Sequence, residues 1–197
     1  MKMKKIITIN ETMLLIIMAT GIFLFTSCSE NQNSPDVKEV AEERNEAKFN
    51  ESSQQNDAQF LVNASEINLM QIQLGQLAQE KGKTSEVRDL GKMMKLAHTK
   101  SQKDLTALAQ RKGISILSSP SNNTMDAYKK LNEKSRDDFD KAYTDMMVKD
   151  HKDAIRTFEK ASKNSRDGDI KNWATASLRQ MRDHLDHSID SQKKLLI

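Results

Sequence analysis

The chain has very little cysteine: Cys28 is the only one in 197 residues. A single thiol at the end of an amino-terminal apolar run excludes a disulfide framework, a thiolate metal cluster and a cysteine nucleophile in the folded part. The chain also lacks Val/Ile-rich alternating segments and Asn-Gly hairpin signals. Because these are the main signatures of strands and hairpins, their absence predicts a domain made only of helices.

Several catalytic motifs are missing as well. There is no glycine-rich loop that would cradle a phosphate, no nucleophile elbow and no pair of carboxylates fixed by spacing. No reaction is therefore predicted from motifs, and we do not expect an enzyme.

The amino terminus reads as an export signal. Lys2, Lys4 and Lys5 precede an apolar run of 13 residues, Met13 to Phe25, which is shorter than the about 20 residues that a membrane-spanning helix needs. The run ends at Leu24-Phe25-Thr26-Ser27-Cys28, which resembles the lipobox of bacterial lipoproteins, although Phe25 replaces the usual aliphatic residue. The resemblance implies cleavage before Cys28, its acylation and a lipid-anchored location in the cell envelope, facing the periplasm or at the outer membrane. The alternative is a plain secretory signal with an incidental thiol.

The net charge of the chain does not predict nucleic-acid binding. Removing residues 1–27 removes three basic residues and one acidic residue, which leaves 28 basic and 27 acidic side chains. A net charge this close to zero predicts no attraction to a polyanion.

Three domain segments are predicted: a signal peptide over 1–27, a lipid-anchored flexible tether over 28–56 and a bundle domain over 57–197. The tether has few large apolar residues, so it cannot bury enough surface to offset its ordering entropy. A short helix from Val37 to Phe49 is possible within it.

Apolar residues recur with helical spacing in four long segments of the bundle domain. We predict Gly82 as a left-handed cap ending the first helix, Gly113 as the end of the second and Asp169 as the cap of the last. A shorter helix over Asp126 to Asn132 is possible in the connection between the second and third. The four long helices are predicted over Asp57 to Lys81, Ser85 to Lys112, Arg136 to Asn164 and Ile170 to Lys194.

Four amphipathic helices of this length hide their apolar faces only against one another. The predicted fold is therefore all-α: an antiparallel four-helix bundle with a longer crossover between helices two and three. Its core is rich in methionine and alanine, so it should pack adaptably.

Several motifs resemble those of exported bacterial proteins in domain of unknown function family 4142. The segments that carry the resemblance are Phe60 to Ala64, Gln73 to Ala78, Met93 to Lys100, Leu105 to Gly113, Phe139 to His151 and Leu178 to Leu185. The resemblance implies a ferritin-like bundle and an exposed envelope location, but no established reaction. Ala97 departs from the family pattern, which often has an acid directly before the histidine of the second helix.

Three histidines are predicted to meet at mid-height. The motif Met146-Met147-x-x-x-His151 recurs as Met93-Met94-x-x-x-His98, and His184 flanks Met181. Each histidine lies near the middle of its helix, and mid-points of antiparallel helices lie at one level. Gln71 faces inward at that level from the first helix, while Asp150 lies at the edge of the third. His187 is predicted to point outward.

Two interpretations of this group remain open. The residues three before the histidines are Lys95, Val148 and Met181 rather than glutamates, which argues against a ferritin-type di-iron site. A mononuclear site of His98, Asp150, His151 and His184 would suit copper or zinc, and the thioethers of Met94, Met147 and Met181 would favour monovalent copper. Otherwise no cofactor is present, and these are core histidines hydrogen-bonded to Gln71, Asp150, Ser101 or Ser177.

The sequence therefore predicts a lipid-anchored helical bundle that acts as a non-enzymatic binding or stress-related module. The alternative function is metal binding by the mid-helix histidines. Apart from the membrane reached through the anchor, a protein partner or a homo-oligomeric state is not defined by the sequence.

Overall fold

The computed structural model describes residues 35–195, which form six helices and no strand. Cys28 and the predicted signal segment lie outside the described residues. None of the described helices combines the length and hydrophobicity that a membrane crossing needs. The helices are α1 (Val37–Lys48), α2 (Ser52–Lys81), α3 (Ser85–Lys112), α4 (Asn122–Asn132), α5 (Arg136–Asn164) and α6 (Gly168–Lys194).

The predicted all-α bundle is confirmed, with α2, α3, α5 and α6 as its long helices. Helices α2 and α3 form one antiparallel hairpin, and α5 and α6 form the other. Lys83 at the end of α2 donates its backbone N–H to Asp140 near the start of α5, and Asp57 near the start of α2 accepts from the backbone N–H of Asp167 beyond the end of α5. Helices α2 and α5 are therefore antiparallel too.

The connection from α3 to α5 spans the length of the bundle and includes α4. Lys112 at the end of α3 pairs with Asp167 and Asp169 at the start of α6, so this neighbouring pair also runs antiparallel. Every adjacent pair of long helices is then antiparallel, which is the arrangement that a single long crossover produces in ferritin-like bundles.

Of the three predicted helix-end residues, Gly113 is confirmed, whereas Gly82 and Asp169 differ from the prediction. Gly113 ends α3 in the left-handed region at φ 62°, as predicted, but Gly82 ends α2 at φ −54°. Gly82 is needed for space instead, because a Cβ there would lie 2.6 Å from the carbonyl oxygen of Ala78. The cap of α6 is Asp167 rather than Asp169, since its side chain accepts from the backbone N–H groups of Asp169 and Ile170.

Helix α1 changes the predicted extent of the folded part. The sequence predicts a tether over 28–56 with a possible helix from Val37 to Phe49 inside it; the helix is present as α1, but its Ala41 and Asn45 are buried. The Asn45 side chain exchanges two hydrogen bonds with the backbone of Ser115, each 2.8 Å long, and Lys38 pairs with Glu66 at 2.7 Å. These polar contacts join α1 to the bundle. The spacing of apolar residues along the sequence could not predict them.

The described residues form three apolar clusters: a large one at each end of the bundle and a small one in which Ala41 of α1 packs against Val62 and Leu117. The cluster nearer the start of α2 includes Phe60, Leu108 and Phe158, and Met181 belongs to it. The cluster nearer the end of α2 includes Leu77 and Phe139, and it holds Met94 and Met147. In each long helix, the polar side chains of the site lie between the residues of the first cluster and the residues of the second.

Gly75 and Gly91 bring α2 and α3 close together beside the cluster nearer the end of α2. A Cβ at Gly91 would lie 2.7 Å from the Cβ of Ala78 and 2.8 Å from the carbonyl oxygen of Gly75. The helices can approach this closely only because glycine has no side chain. A Cβ would contact backbone atoms, which cannot move aside without separating the helices.

We predict that Gly91→Ala destabilises the protein by about 1–3 kcal/mol through overpacking, although alanine has the better helix propensity by about 1 kcal/mol. The measurement is the free energy of unfolding from urea denaturation. Gly168→Ala is the matched control, because a Cβ at Gly168 meets nothing within 4 Å. A Gly91→Ala variant as stable as wild type would show that the two helices can separate at little cost.

Candidate metal centre

The structure brings the three predicted histidines together. His98 of α3, His151 of α5 and His184 of α6 are 1%, 1% and 4% exposed. Their ring centroids are 5.1, 5.3 and 5.7 Å apart. One nitrogen from each ring lies within 4.8 Å of the other two, so the three imidazoles surround one point in the bundle interior.

Two of the rings have their tautomer set by a hydrogen bond on the outer side. His98 donates its Nδ1–H to Oδ1 of Asn68 at 2.8 Å, and His151 donates its Nδ1–H to the backbone carbonyl of Met147 at 2.9 Å. Each Nε2 is then left with a free lone pair. An outer hydrogen bond of this kind is how proteins orient histidines that bind metals.

The inward nitrogens have no partners. His98 Nε2, His151 Nε2 and His184 Nδ1 are buried and make no hydrogen bond. Buried polar atoms are usually paired, so three unpaired nitrogens facing one point require an explanation. They bind a cation, they bind a buried water, or the fold tolerates them unpaired at a cost in stability.

The spacing of the rings suits a metal ion. With metal–nitrogen bonds of about 2.1 Å and tetrahedral angles, three imidazoles would place their ring centroids about 5 Å apart. The observed centroid distances are close to this value. The donor atoms can therefore reach a common ion with small side-chain adjustments.

Burial keeps these histidines neutral, which is the form that binds a metal. Burial lowers the pKa of His151 to about 4, and burial together with the charges of His151 and His187 lowers the pKa of His184 to about 3. Burial, followed by the charges of His184 and His151, also puts the pKa of His98 well below its usual 6.5.

A chain of hydrogen bonds connects the centre to the crossover. Asn68, which accepts from His98, donates to Gln102 at 3.3 Å, and Gln102 donates to the hydroxyl of Ser65 at 2.9 Å. The Ser65 hydroxyl then donates to the backbone carbonyl of Leu117 at 3.3 Å. The orientation of the His98 ring is thus fixed by residues from α2, α3 and the loop beyond α3.

The remaining predicted site residues take different positions. Asp150 is half-buried and outside the group of mutually close donor atoms, but its Oδ2 is buried without a partner and burial raises its pKa to about 6. Gln71 is 1% exposed, and its Oε1 is also unpartnered. His187 is exposed, as its position predicted. Met94, Met147 and Met181 are buried in the two large apolar clusters.

Sequence reasoning missed Asn68, because the face of α2 was assigned wrongly. Apolar spacing in α2 favours Ile67 and Met70 as inward residues, yet both are only half-buried, whereas Ser65 and Asn68 are buried together with Gln71, which was predicted to face inward. The predicted hydrogen-bond partners of the histidines were Gln71, Asp150, Ser101 and Ser177. None of the four bonds to a histidine, and Ser177 donates to the backbone carbonyl of Trp173 instead. The available signal was the spacing of Ser65, Asn68 and Gln71, which puts three uncharged polar residues on one helical face.

We predict that the metal-free protein loses stability as the pH falls below 6.5. The unfolded histidines take up protons near pH 6.5, whereas folded His151 and His184 do so only near pH 4 and pH 3, so each of these two contributes a loss of about 1.4 kcal/mol per pH unit in between. Asp150 partly opposes this, because its folded pKa is above its ordinary 3.8 and it gains stability as the pH falls below about 6.

The test is to measure the free energy of unfolding against pH for metal-free wild type and His184→Gln. The variant should show a slope shallower by about 1.4 kcal/mol per pH unit between pH 6 and 4, since one titrating group is gone. Parallel profiles would mean that His184 is protonated equally easily in both states.

Comparison with known proteins adds a family but no activity. Residues 41–190 match the model of a family described as "Domain of unknown function (DUF4142)". No curated protein and no solved structure matches the chain. The geometry of the centre is therefore the main evidence about function.

Proposed function

Because this chain belongs to the DUF4142 family, as its motifs predicted, and the family description assigns no activity, we propose a function from the centre itself. The protein binds one copper or zinc ion between His98, His151 and His184. The observation that carries the proposal is the set of three buried imidazole nitrogens that face one another without hydrogen-bond partners.

This observation favours metal binding over the core-histidine interpretation. Core histidines would be expected to pair with neighbouring polar groups, and the outer nitrogens of His98 and His151 do so. Their Nε2 atoms are left as buried acceptors without a donor. A cation bound by all three rings would give these nitrogens a partner.

The burial of the centre supports holding a metal rather than catalysing a reaction with it. The three rings are at most 4% exposed, so an ion between them would be shielded from substrate-sized molecules. Within residues 35–195, no carboxylate joins the group of mutually close donor atoms, which argues against a carboxylate-bridged di-iron centre. Imidazole donors are well suited to copper and zinc.

We predict that protein purified without chelator contains about one copper or zinc ion per chain, as expected of a mononuclear site. Adding that metal to the metal-free protein should raise the melting temperature by several degrees, because an ion at 100 times its dissociation constant adds about 2.7 kcal/mol. A His98→Ala/His151→Ala variant should lose both the metal and the thermal gain. The measurements are elemental analysis and calorimetry.

His187→Ala is the matched control, since His187 lies three residues after His184 on the same helix but is exposed. It should bind metal and gain stability like wild type. If wild-type protein contains no stoichiometric metal and gains no stability from copper or zinc, the proposal is wrong and the bundle is a scaffold with an unpaired polar core.

We also propose that the protein is exported and lipid-anchored through Cys28. The support is the apolar run and the residues that precede Cys28 in the sequence. Since α1 begins at Val37, the spacer between Cys28 and the folded part is shorter than the predicted segment 28–56.

Expression with a radiolabelled fatty acid tests the anchor. Wild type should incorporate the label and fractionate with membranes, because multiple acyl chains anchor stably, and Cys28→Ser should do neither. A mature protein that begins at another residue and carries no label would contradict the anchor without affecting the metal proposal.

A further inference from the structure

We infer that α2 completes the three-histidine centre with the side-chain oxygen of Gln71, so that three nitrogens and one oxygen hold the ion. This donor set favours zinc(II) over monovalent copper. The inference rests on the proposed metal binding and specifies the class of ion.

Helix α2 is the long helix that contributes no histidine to the centre, although it contacts both α3 and α5. Its level relative to the centre is fixed by contacts on both sides. Asn68 lies beside His98, to which it is hydrogen-bonded, and Gln71 is three residues further along α2. Residues three apart lie on one face of a helix.

The contacts with α5 give the same level. Asp57 is beside Asp167 at one end of the antiparallel pair, and Lys83 is beside Asp140 at the other. Counting along both helices from either contact places Gln71 level with residue 152 or 153, within two residues of His151. Two residues of a helix correspond to about 3 Å along its axis.

The Gln71 side chain has an unused donor to metals. It is 1% exposed, and its Oε1 is buried without a hydrogen-bond partner. Within residues 35–195, the buried side-chain atoms without partners belong to six residues: Gln71, His98, Tyr143, Asp150, His151 and His184. Three of these six supply the imidazole nitrogens of the centre. An ion there would give Gln71 Oε1 the partner that the protein does not provide.

The chemistry of the fourth donor determines which ion is preferred. An amide oxygen is a hard donor, whereas monovalent copper prefers thioethers and thiolates. The methionines expected to supply thioethers are instead members of the apolar clusters on either side of the centre. Zinc accepts imidazole and oxygen donors and is usually four-coordinate in structural sites. Four protein ligands would leave no position for a reacting water, which agrees with a holding function.

Asp150 contributes charge rather than a bond. It precedes His151, and its Oδ2 is buried without a partner, but it is not among the mutually close donor atoms. Three imidazoles and an amide are all neutral, so a divalent ion would bring two uncompensated positive charges into the core. A carboxylate next to His151 offsets part of that charge.

The experiment compares the zinc(II) and copper(I) affinities of wild type and Gln71→Met by chelator competition. Methionine is similar in size to glutamine and replaces the oxygen with a thioether. We expect zinc affinity to fall tenfold or more, since loss of a ligand should matter at least as much as the roughly 10–100-fold effect of outer-shell partners. Copper(I) affinity should be unchanged or higher, and X-ray absorption of the copper(I) form should show a sulfur neighbour.

Two further variants keep the result interpretable. Gln71→Glu retains an oxygen donor and should bind zinc at least as tightly as wild type. Asn68→Leu removes the partner of His98 without removing a proposed ligand, so it should weaken zinc and copper(I) binding by similar factors. A change in the ratio of the two affinities is therefore specific to the fourth ligand, whereas a structural disturbance lowers both.

The possible outcomes separate the two proposals. If wild type binds zinc and Gln71→Met binds it equally well, the assignment of Gln71 is wrong and the metal site stands. The assignment is also wrong if Asp150→Asn removes zinc selectively while Gln71→Met does not. If wild type binds neither ion, the proposed function fails and this inference fails with it.

Discussion

The structure depends on a polar layer that crosses the middle of an otherwise apolar bundle. His98, His151 and His184 meet there with their inward nitrogens unpaired, while apolar clusters fill the bundle on both sides. Unpaired polar atoms in a dry core are costly. A layer of this kind is stable only if the packing on both sides is good or if a cation or a buried water occupies it.

The fold supports the layer through the connections between helices. The long crossover makes each adjacent pair of long helices antiparallel, which brings mid-helix residues to one level. Gly75 and Gly91 allow α2 and α3 to approach closely, so the Asn68 side chain reaches the His98 ring. The hydrogen bonds from Asn68 through Gln102 and Ser65 then tie that ring to the crossover. His98 is thereby linked to the loop that follows α3.

Much of the fold could be predicted from the sequence because helical periodicity and capping residues are local signals. The long helices, the cap at Gly113 and the inward direction of the three histidines follow from spacing along a single helix. The burial of Ser65 and Asn68 does not follow from the spacing of apolar residues, since α2 packs against α1, α3, α4 and α5 and is covered on several sides. When most sides of a helix are covered by other helices, the spacing of its apolar residues does not show which side faces the centre of the bundle. The docking of α1 depends on paired polar groups such as Asn45 and Ser115, whose sequence separation hides their contact.

The sequence by itself determined that this protein is an all-helical member of its family, with one cysteine and histidines on buried faces. Those features are set by composition and by the periodicity of each helix taken alone. Only the tertiary structure decided that three imidazoles from three helices share one point, that Asn68 and the Met147 carbonyl orient two of them, and that Gln71 lies level with them. The reason is that distances between helices depend on how backbones pack and connect, and no single segment of the chain contains that information.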